Sequence, residues 1–338
     1  MKVARLHGVG DIRVAEEGER SAGPGESLVR VTAVGICGSD VHWFVEGSIG
    51  EAELSQPLVL GHEFAGLIEG GPDDGQRVAV DPARPCGKCE PCLEGNSNLC
   101  PLVRFAGHGS DDGGLRELLA WPTALLHPVP DGLGDADAAM LEPLGVAMHA
   151  HDLGKPQVGG VVAVIGCGPI GLCLVQLARV AGAASIVAVE PLGHRREAAA
   201  AMGADVVLDA AAVDVHAALA QATGGRGVDV AFEVAGNDAG VALAVEAAKP
   251  GGRVILVGIP GQHSTSFPAS VARRKGLTLK LSRRMKDMYP RAIRLADKGL
   301  VDLPPLVTHT FPLESVDEAF RAASERVGLK IIVSPNAY

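Results

Sequence analysis

The chain has 338 residues, enough for two domains at roughly 100–200 residues each. Its net charge of −10, with no basic run, excludes nucleic acid and anionic membrane surfaces as expected partners. Aromatics are only 3 % against 47 % hydrophobic residues, so Val, Leu, Ile and Ala must fill a sizeable core. The opening MKVARLHGVGDIRV holds no apolar run of signal-peptide length, and no run of about 20 apolar residues follows. A cytoplasmic, reducing compartment is therefore expected. Seven cysteines, an odd number, argue against a disulfide framework there.

Residues 1–80 alternate short apolar runs with Gly and Pro (SLVRVTAVGICG, PLVLGHEFAGLIEG, GQRVAVDP), the pattern of short strands in a β-rich unit. Cys37 and His62 lie in that unit. A thiolate, an imidazole and a carboxylate make a three-ligand zinc site with one open position. Glu63 and Glu142 are the carboxylates on offer. Alone, Cys37 reads as a small buried hydrophobe and His62 as a hydrogen-bonded core histidine. Beside the two motifs that follow, they read as ligands.

The first of these motifs is CGKCEPCLEGNSNLC, with Cys86, Cys89, Cys92 and Cys100 spaced C-x2-C-x2-C-x7-C. Gly87, Pro91, Gly95 and Asn96 let so short a loop wrap a tetrahedral ion. Four thiolates close the shell of a zinc, so this site is expected to be structural. The alternatives are four reduced thiols on a loop, or a nucleic-acid-binding ribbon, which the acidic charge disfavours. LRELLAWP and ALLHPVP then read as strand or turn. Residues 135–153 read as a helix with Asp135 as N-cap.

Texture changes at Val161. VVAVIGCGPIGLCLVQLARVAGA is a strand, a glycine turn and an apolar helix. SIVAVEP, VVLDA, VDVAFEVAG and RVILVGIP are further strands separated by Ala-rich helical pieces. This alternation predicts a parallel, doubly wound sheet. Gly166, Gly168 and Gly171 fit G-x-G-x-x-G between strand and helix, the context that gives the pattern meaning. The first glycine allows the tight turn, the second the approach of a pyrophosphate, the third close helix–sheet packing. Glu190 stands 19 residues after Gly171, where a carboxylate would accept from ribose hydroxyls and repel a 2′-phosphate. NAD is expected over NADP, although Arg195 and Arg196 close by could pair with a phosphate. After Arg284 come a helical stretch (YPRAIRLADKG), LVTHTFPLESVDEAF and a last strand, LKIIV.

GICGSDVHW, PLVLGHEFAG, the cysteine loop, DDGGL, LEPLGVAMHA, GCGPIG, EVAG, VGIPG and LVTHTFPLESVDEAF occur in this order from about residue 30 to residue 320. In them the chain resembles the zinc-containing medium-chain dehydrogenases/reductases, and among these the sorbitol (polyol) dehydrogenases. The resemblance implies a GroES-like zinc-binding catalytic domain (1–150 and 285–338) and a Rossmann NAD-binding domain (151–284), with the chemistry in the cleft between them. It implies two zincs per chain. Cys37 and His62 match catalytic zinc ligands, with Glu63 as the carboxylate ligand and Glu142 as a ligand or the holder of a water. Ser39 and His42 match a proton relay, and Asp40 a carboxylate that orients the ligating histidine. Pro169, Ile170, Arg195, Val234, Val257 and Gly258 join the three glycines and Glu190 at the cofactor. Trp43, Phe105 and Arg284 line the substrate cleft.

The chain also departs from the polyol pattern. Trp43 stands where those enzymes often have a tyrosine, and His108 replaces a threonine. SRRMK at 282–286 carries three basic side chains instead of one. RFAG at 104–107 resembles L-idonate 5-dehydrogenases, whose anionic substrate would suit extra arginine. The implied reaction is zinc-dependent hydride transfer from the carbinol carbon of a polyol's secondary alcohol to NAD, giving a ketose. A sugar-acid, threonine or simple secondary-alcohol dehydrogenase is the alternative, and a non-catalytic dinucleotide-binding protein a remote one. A homotetramer is expected over a dimer, with RVILVGIP and LTLKLSR pairing across a two-fold axis.

Overall fold

Strand Glu26–Gly35 carries Val29, Val31, Ala33 and Val34 at or near complete burial, and a sheet grows on both its sides. The order is Leu126–Pro128, Arg77–Val80, Glu63–Glu69, Glu26–Gly35, Lys330–Ser334, Val307–Pro312, with Leu118–Pro122 also pairing with Glu26–Gly35. These are features of a computed structural model that describes residues 1–18, 21–261 and 263–336. Residues 19–20, 262 and 337–338, which fall within the expected domain ranges, lie outside the described residues. The chain divides into two compact units, Met1–Gly145 with Lys286–Tyr338, and Val146–Met285.

The first unit is the β-rich one. Its last strand, Lys330–Ser334, pairs antiparallel with Val34 and Gly35, so residues about 300 positions apart become neighbours in one sheet. Val3, Leu6, Val31, Phe64, Trp121, Phe320 and Val333 belong to a single core there. One helix, Gly38–Glu46, interrupts the run of strands that the apolar alternation predicts for residues 1–80. It starts because Asp40 reaches back to accept from the N–H of Cys37 (3.0 Å), satisfying a donor at the helix entrance. It stops at Gly47, whose φ of +69° is the left-handed conformation glycine adopts at no steric cost.

The second unit has six parallel strands in the order Val206–Leu208, Ser185–Val189, Val161–Ile165, Val228–Glu233, Ala248–Leu256, Thr278–Leu281. In sequence order that is 3-2-1-4-5-6, the doubly wound dinucleotide arrangement that the strand–helix alternation predicts. Val161–Ile165 is the pivot, and it runs straight into the glycine turn.

The helix predicted over 135–153 spans Asp135–Gly154. Asp135 is not its N-cap, however. Asp135 lies inside the helix and accepts from Arg77 Nε (2.7 Å), while Asp137 accepts from the N–H of Gly134 (2.9 Å). The capping carboxylate is the one two residues further along, and Asp135 is spent on an ion pair with the neighbouring sheet.

One surface carboxylate tunes acid stability. Asp229 accepts both terminal nitrogens of Arg226 (2.8 Å each), the N–H of Val161 (2.9 Å) and the Lys249 ammonium. Arg226 above all, with Lys249 and Val161 adding, holds its carboxyl well below the usual range. The stabilisation it gives is therefore present above the ordinary carboxyl pKa of about 3.9 and is lost as pH falls towards the depressed value. In urea unfolding across this acid range, Asp229→Asn should weaken the fall in the wild-type midpoint below about pH 4. Identical slopes for both proteins would count against this.

Candidate active site and metal centres

The four loop cysteines come together: their sulfurs all lie within 4.8 Å of one another, and none forms a disulfide. A tetrahedron with metal–sulfur bonds of about 2.3 Å has edges of about 3.8 Å, so the cage needs only slight tightening to close on zinc. Cys89 and Cys92 Sγ are 3.4 Å apart, and the N–H of Cys86 points at Cys100 Sγ at the same distance. The N–H groups of Lys88 and Cys89 pull the Cys86 thiol below its ordinary value. The donor set fits a structural zinc. Cys92→Ser is expected to remove one zinc per chain and lower the melting temperature. An unchanged melting temperature with zinc lost would argue that the loop is not structural.

A second cluster joins Cys37, His62 and Glu63, whose ligand atoms also lie within 4.8 Å. Cys37 is the residue before helix Gly38–Glu46, and Glu63 opens strand Glu63–Glu69. Asp40, buried in that helix, lies 3.4 Å from His62 Nδ1 and also accepts from the N–H groups of Cys37 and Gly61. It thus fixes ring orientation and leaves Nε2 for a ligand. Burial disfavours the His62 cation, but Asp40 and Cys37 outweigh it, and its pKa lies well above the ordinary value. One thiolate, one imidazole and one carboxylate suit zinc with a position to spare.

Glu63 has a second engagement. Its Oε2 accepts from Lys330 Nζ at 2.5 Å, and Lys330 also donates to the Ile36 carbonyl at 3.0 Å. Both side chains are essentially buried, at 3 % and 1 % exposure. Burial pulls the Lys330 ammonium down, but Glu63 and then Cys37 outweigh this, and it titrates above its ordinary value. A Cβ at Gly35 would stand 2.2 Å from Glu63 Oε2, so only glycine leaves room for the carboxylate there. Glu142 is buried but stands outside the 4.8 Å cluster. Burial, with Glu63 and Asp81 adding, pushes its carboxyl up to about 8.

Ser39 Oγ lies 3.4 Å from His62 Nε2. His42 Nδ1 lies 3.0 Å from Glu46 Oε1 on the outer part of the same helix. The Phe105 ring faces His62 at 5.3 Å, whereas Trp43 is buried in the core with its edge on His108 at 5.5 Å. Arg284 lies in the second unit with φ +51°, a conformation uncommon for a side-chain-bearing residue. Lys286 donates to Asn96 in the cysteine loop.

In the second unit the glycine turn is a cradle that side chains would fill. Gly166 has φ +95°, and a Cβ on it would lie 2.8 Å from the N of Ala235. A Cβ on Gly171 would lie 2.0 Å from the Gly166 carbonyl oxygen. Gly168 begins helix Pro169–Val180 with no side-chain cap, leaving the helix N-terminus to an anion. Ile170 follows in the same first turn. Glu190 is buried, with Oε2 accepting from Cys167 N (2.8 Å) and Oε1 from Leu192 N (3.0 Å). Arg195 Nη1 lies 3.8 Å from where a Cβ on Gly168 would sit. The turn fits a dinucleotide. Val234 and the pair Val257–Gly258 follow the ends of the next two strands. Sequence reasoning missed Lys330 and Glu233, both buried charged residues.

These two units match known proteins along nearly the whole chain. The model of the alcohol dehydrogenase GroES-like domain matches residues 23–131, and that of the zinc-binding dehydrogenase residues 169–298. Sorbitol dehydrogenase of Bacillus subtilis (strain 168) is 36 % identical over 99 % of this chain and 98 % of the relative. The chain belongs to the family of zinc-binding alcohol dehydrogenases. Among solved structures, L-idonate 5-dehydrogenase of Escherichia coli superposes with a TM-score of 0.91 at 30 % identity, covering 98 % of this chain and 97 % of that one. A putative zinc-binding dehydrogenase of Sinorhizobium meliloti 1021 bound to NADP superposes with a TM-score of 0.91 at 31 % identity, covering 99 % of both chains.

Proposed function

We propose that this chain is a zinc- and NAD-dependent polyol dehydrogenase: a secondary hydroxyl of a sorbitol- or xylitol-type polyol gives up its proton and its carbinol carbon a hydride to NAD, leaving a ketose and NADH. The carrying observation is the Cys37–His62–Glu63 cluster in a chain 36 % identical to a sorbitol dehydrogenase. The reading assigns those three residues to a catalytic zinc and the four loop cysteines to a structural one. Zinc at the open site supplies Lewis acidity that brings an alcohol's pKa towards neutrality. Asp40 holds His62 by Nδ1 and so aims Nε2. Ser39, beside that nitrogen, takes the hydroxyl proton. His42, three positions on along the same helix face, hands it towards solvent. Glu142, outside the cluster, is assigned to holding water beside it.

Glu190 supports NAD. Each of its oxygens accepts one backbone N–H and keeps a lone pair for a ribose hydroxyl, while its charge opposes a 2′-phosphate. Arg196 is committed to Asp209 and to the carbonyls of Glu190 and Pro191. The NADP-bound relative favours the other choice, so NADP belongs in the test. A sugar-acid substrate is the second reading, favoured by the likeness to the L-idonate enzyme. Against it, one of the three basic side chains of 282–286, Lys286, is occupied by Asn96. Strand Thr278–Leu281 is the outer edge of its sheet with Leu281 76 % exposed, which supports pairing between copies and, with the family resemblance, a homotetramer. Among the described residues no helix is long and apolar enough to cross a membrane. Seven free cysteines suit the cytoplasm.

The test is reduced-cofactor formation by zinc-loaded protein on polyols and aldonates, with NAD and NADP in parallel. Turnover of sorbitol or xylitol with NAD is expected. Oxidation of an aldonate alone would put the sugar-acid reading in its place, and NADP-only turnover would remove the role given to Glu190.

A further inference from the structure

Glu233 closes strand Val228–Glu233 and is 1 % exposed, yet among the described residues no basic side chain is paired with it. Its partners are backbone. Oε1 accepts from the N–H of Gly236 at 2.7 Å, and the N–H groups of Ala235, Asn237 and Gly258 also act on the carboxylate. Burial raises its pKa and these donors pull it back. The residue thus ties two segments that follow different strands, 234–237 and 257–258. Its own carbonyl accepts from Val257 (2.8 Å) and Gly258 (3.1 Å), so main chain and side chain grip the same turn.

The surrounding glycines exist to let this happen. A Cβ on Gly240 would lie 2.8 Å from Glu233 Oε1, and one on Gly258 would lie 2.9 Å from Oε2 and 2.2 Å from the N of Gly236. The turn is also locked to the first glycine of the dinucleotide motif, because Gly166 has no room for a Cβ against Val234 and Ala235.

Position in the sheet says what the tied segments face. Strand Val161–Ile165 is the switch point. Glu190 follows its neighbour on one side, and Val228–Glu233 and Ala248–Leu256 lie on the other. A dinucleotide spans such a point, one half on each side. With the adenosine ribose at Glu190, the nicotinamide half falls over residues 234–237 and 257–258.

We propose that Glu233 is a positioning residue: its buried carboxylate braces both turns into the platform that receives the nicotinamide half of the cofactor. This rests on the dinucleotide reading above. Glu233 need not touch the cofactor. An isosteric amide would turn a donor towards N–H groups that need an acceptor and so loosen the platform.

The test compares NADH with ADP-ribose, which lacks the nicotinamide ring, by calorimetry on wild type, Glu233→Gln and Gly240→Ala. Both variants should weaken NADH binding by about tenfold or more, from loss of a hydrogen bond to a charged group, and leave ADP-ribose within about twofold. Gly240→Ala crowds Oε1 from helix Asp238–Ala247, a position given no cofactor contact, so it keeps the idea testable if Glu233→Gln fails to fold. Equal weakening of both ligands, or unchanged NADH affinity, would overturn the platform role. If wild type binds neither ligand, the dinucleotide reading itself fails. If wild type binds both, only the role of Glu233 is at stake.

Discussion

Lys330→Met should destabilise the protein by about 3–5 kcal/mol, the cost of leaving a buried charge without its partner. Methionine fills much of the space but carries no charge. Glu63 would remain 1 % exposed beside it with Oε2 unpaired, and the Ile36 carbonyl would lose a donor. Glu63 cannot swing away through Gly35, which lies against the same oxygen. Urea unfolding would measure the loss. The double variant Glu63→Gln/Lys330→Met should recover much of it, since removing both charges takes away the desolvation cost as well as the attraction. If Lys330→Met unfolds at the wild-type midpoint, the pair is not a structural support.

Cys37→Ala is expected to lower turnover on the order of a thousandfold, the scale of several kcal/mol of Lewis-acid stabilisation. On the proposed two-zinc reading, zinc should fall by one per chain, with the loop cage still loaded. The melting temperature should move much less than in Cys92→Ser, because the closed four-cysteine cage stays complete in Cys37→Ala and is broken in Cys92→Ser. Asp40→Asn is expected to be milder, about 10–100-fold, as it acts through the orientation of His62. Full activity in Cys37→Ala, with one zinc lost, would remove the cluster from the chemistry.

Much of this was legible in the sequence, for a local reason. The cysteine cage and the glycine turn are each built from one short segment, so spacing alone carries them. Helix Gly38–Glu46 was hidden because its start is set by Asp40 reaching Cys37, while the surrounding apolar alternation reads as strand. Asp135 looked like a cap because nothing local reveals its pairing with Arg77, 58 positions away. Lys330 was invisible for the same reason: 267 positions separate it from Glu63, and a lysine at the start of LKIIV reads as a solvated strand end. Glu233 reads as the polar end of an apolar strand until the two turns that close over it are in place.

The return of strand Lys330–Ser334 to the side of Glu26–Gly35 also sets an order of events during synthesis. The second unit, Val146–Met285, is one uninterrupted segment and can fold as it leaves the ribosome. The first unit cannot. Cys37, His62 and Glu63 are made early, but the ammonium that neutralises Glu63 emerges only with residue 330. Until then the Cys37–His62–Glu63 cluster carries an unbalanced carboxylate and an open sheet edge, and it must wait for almost the whole polypeptide before it reaches its final form.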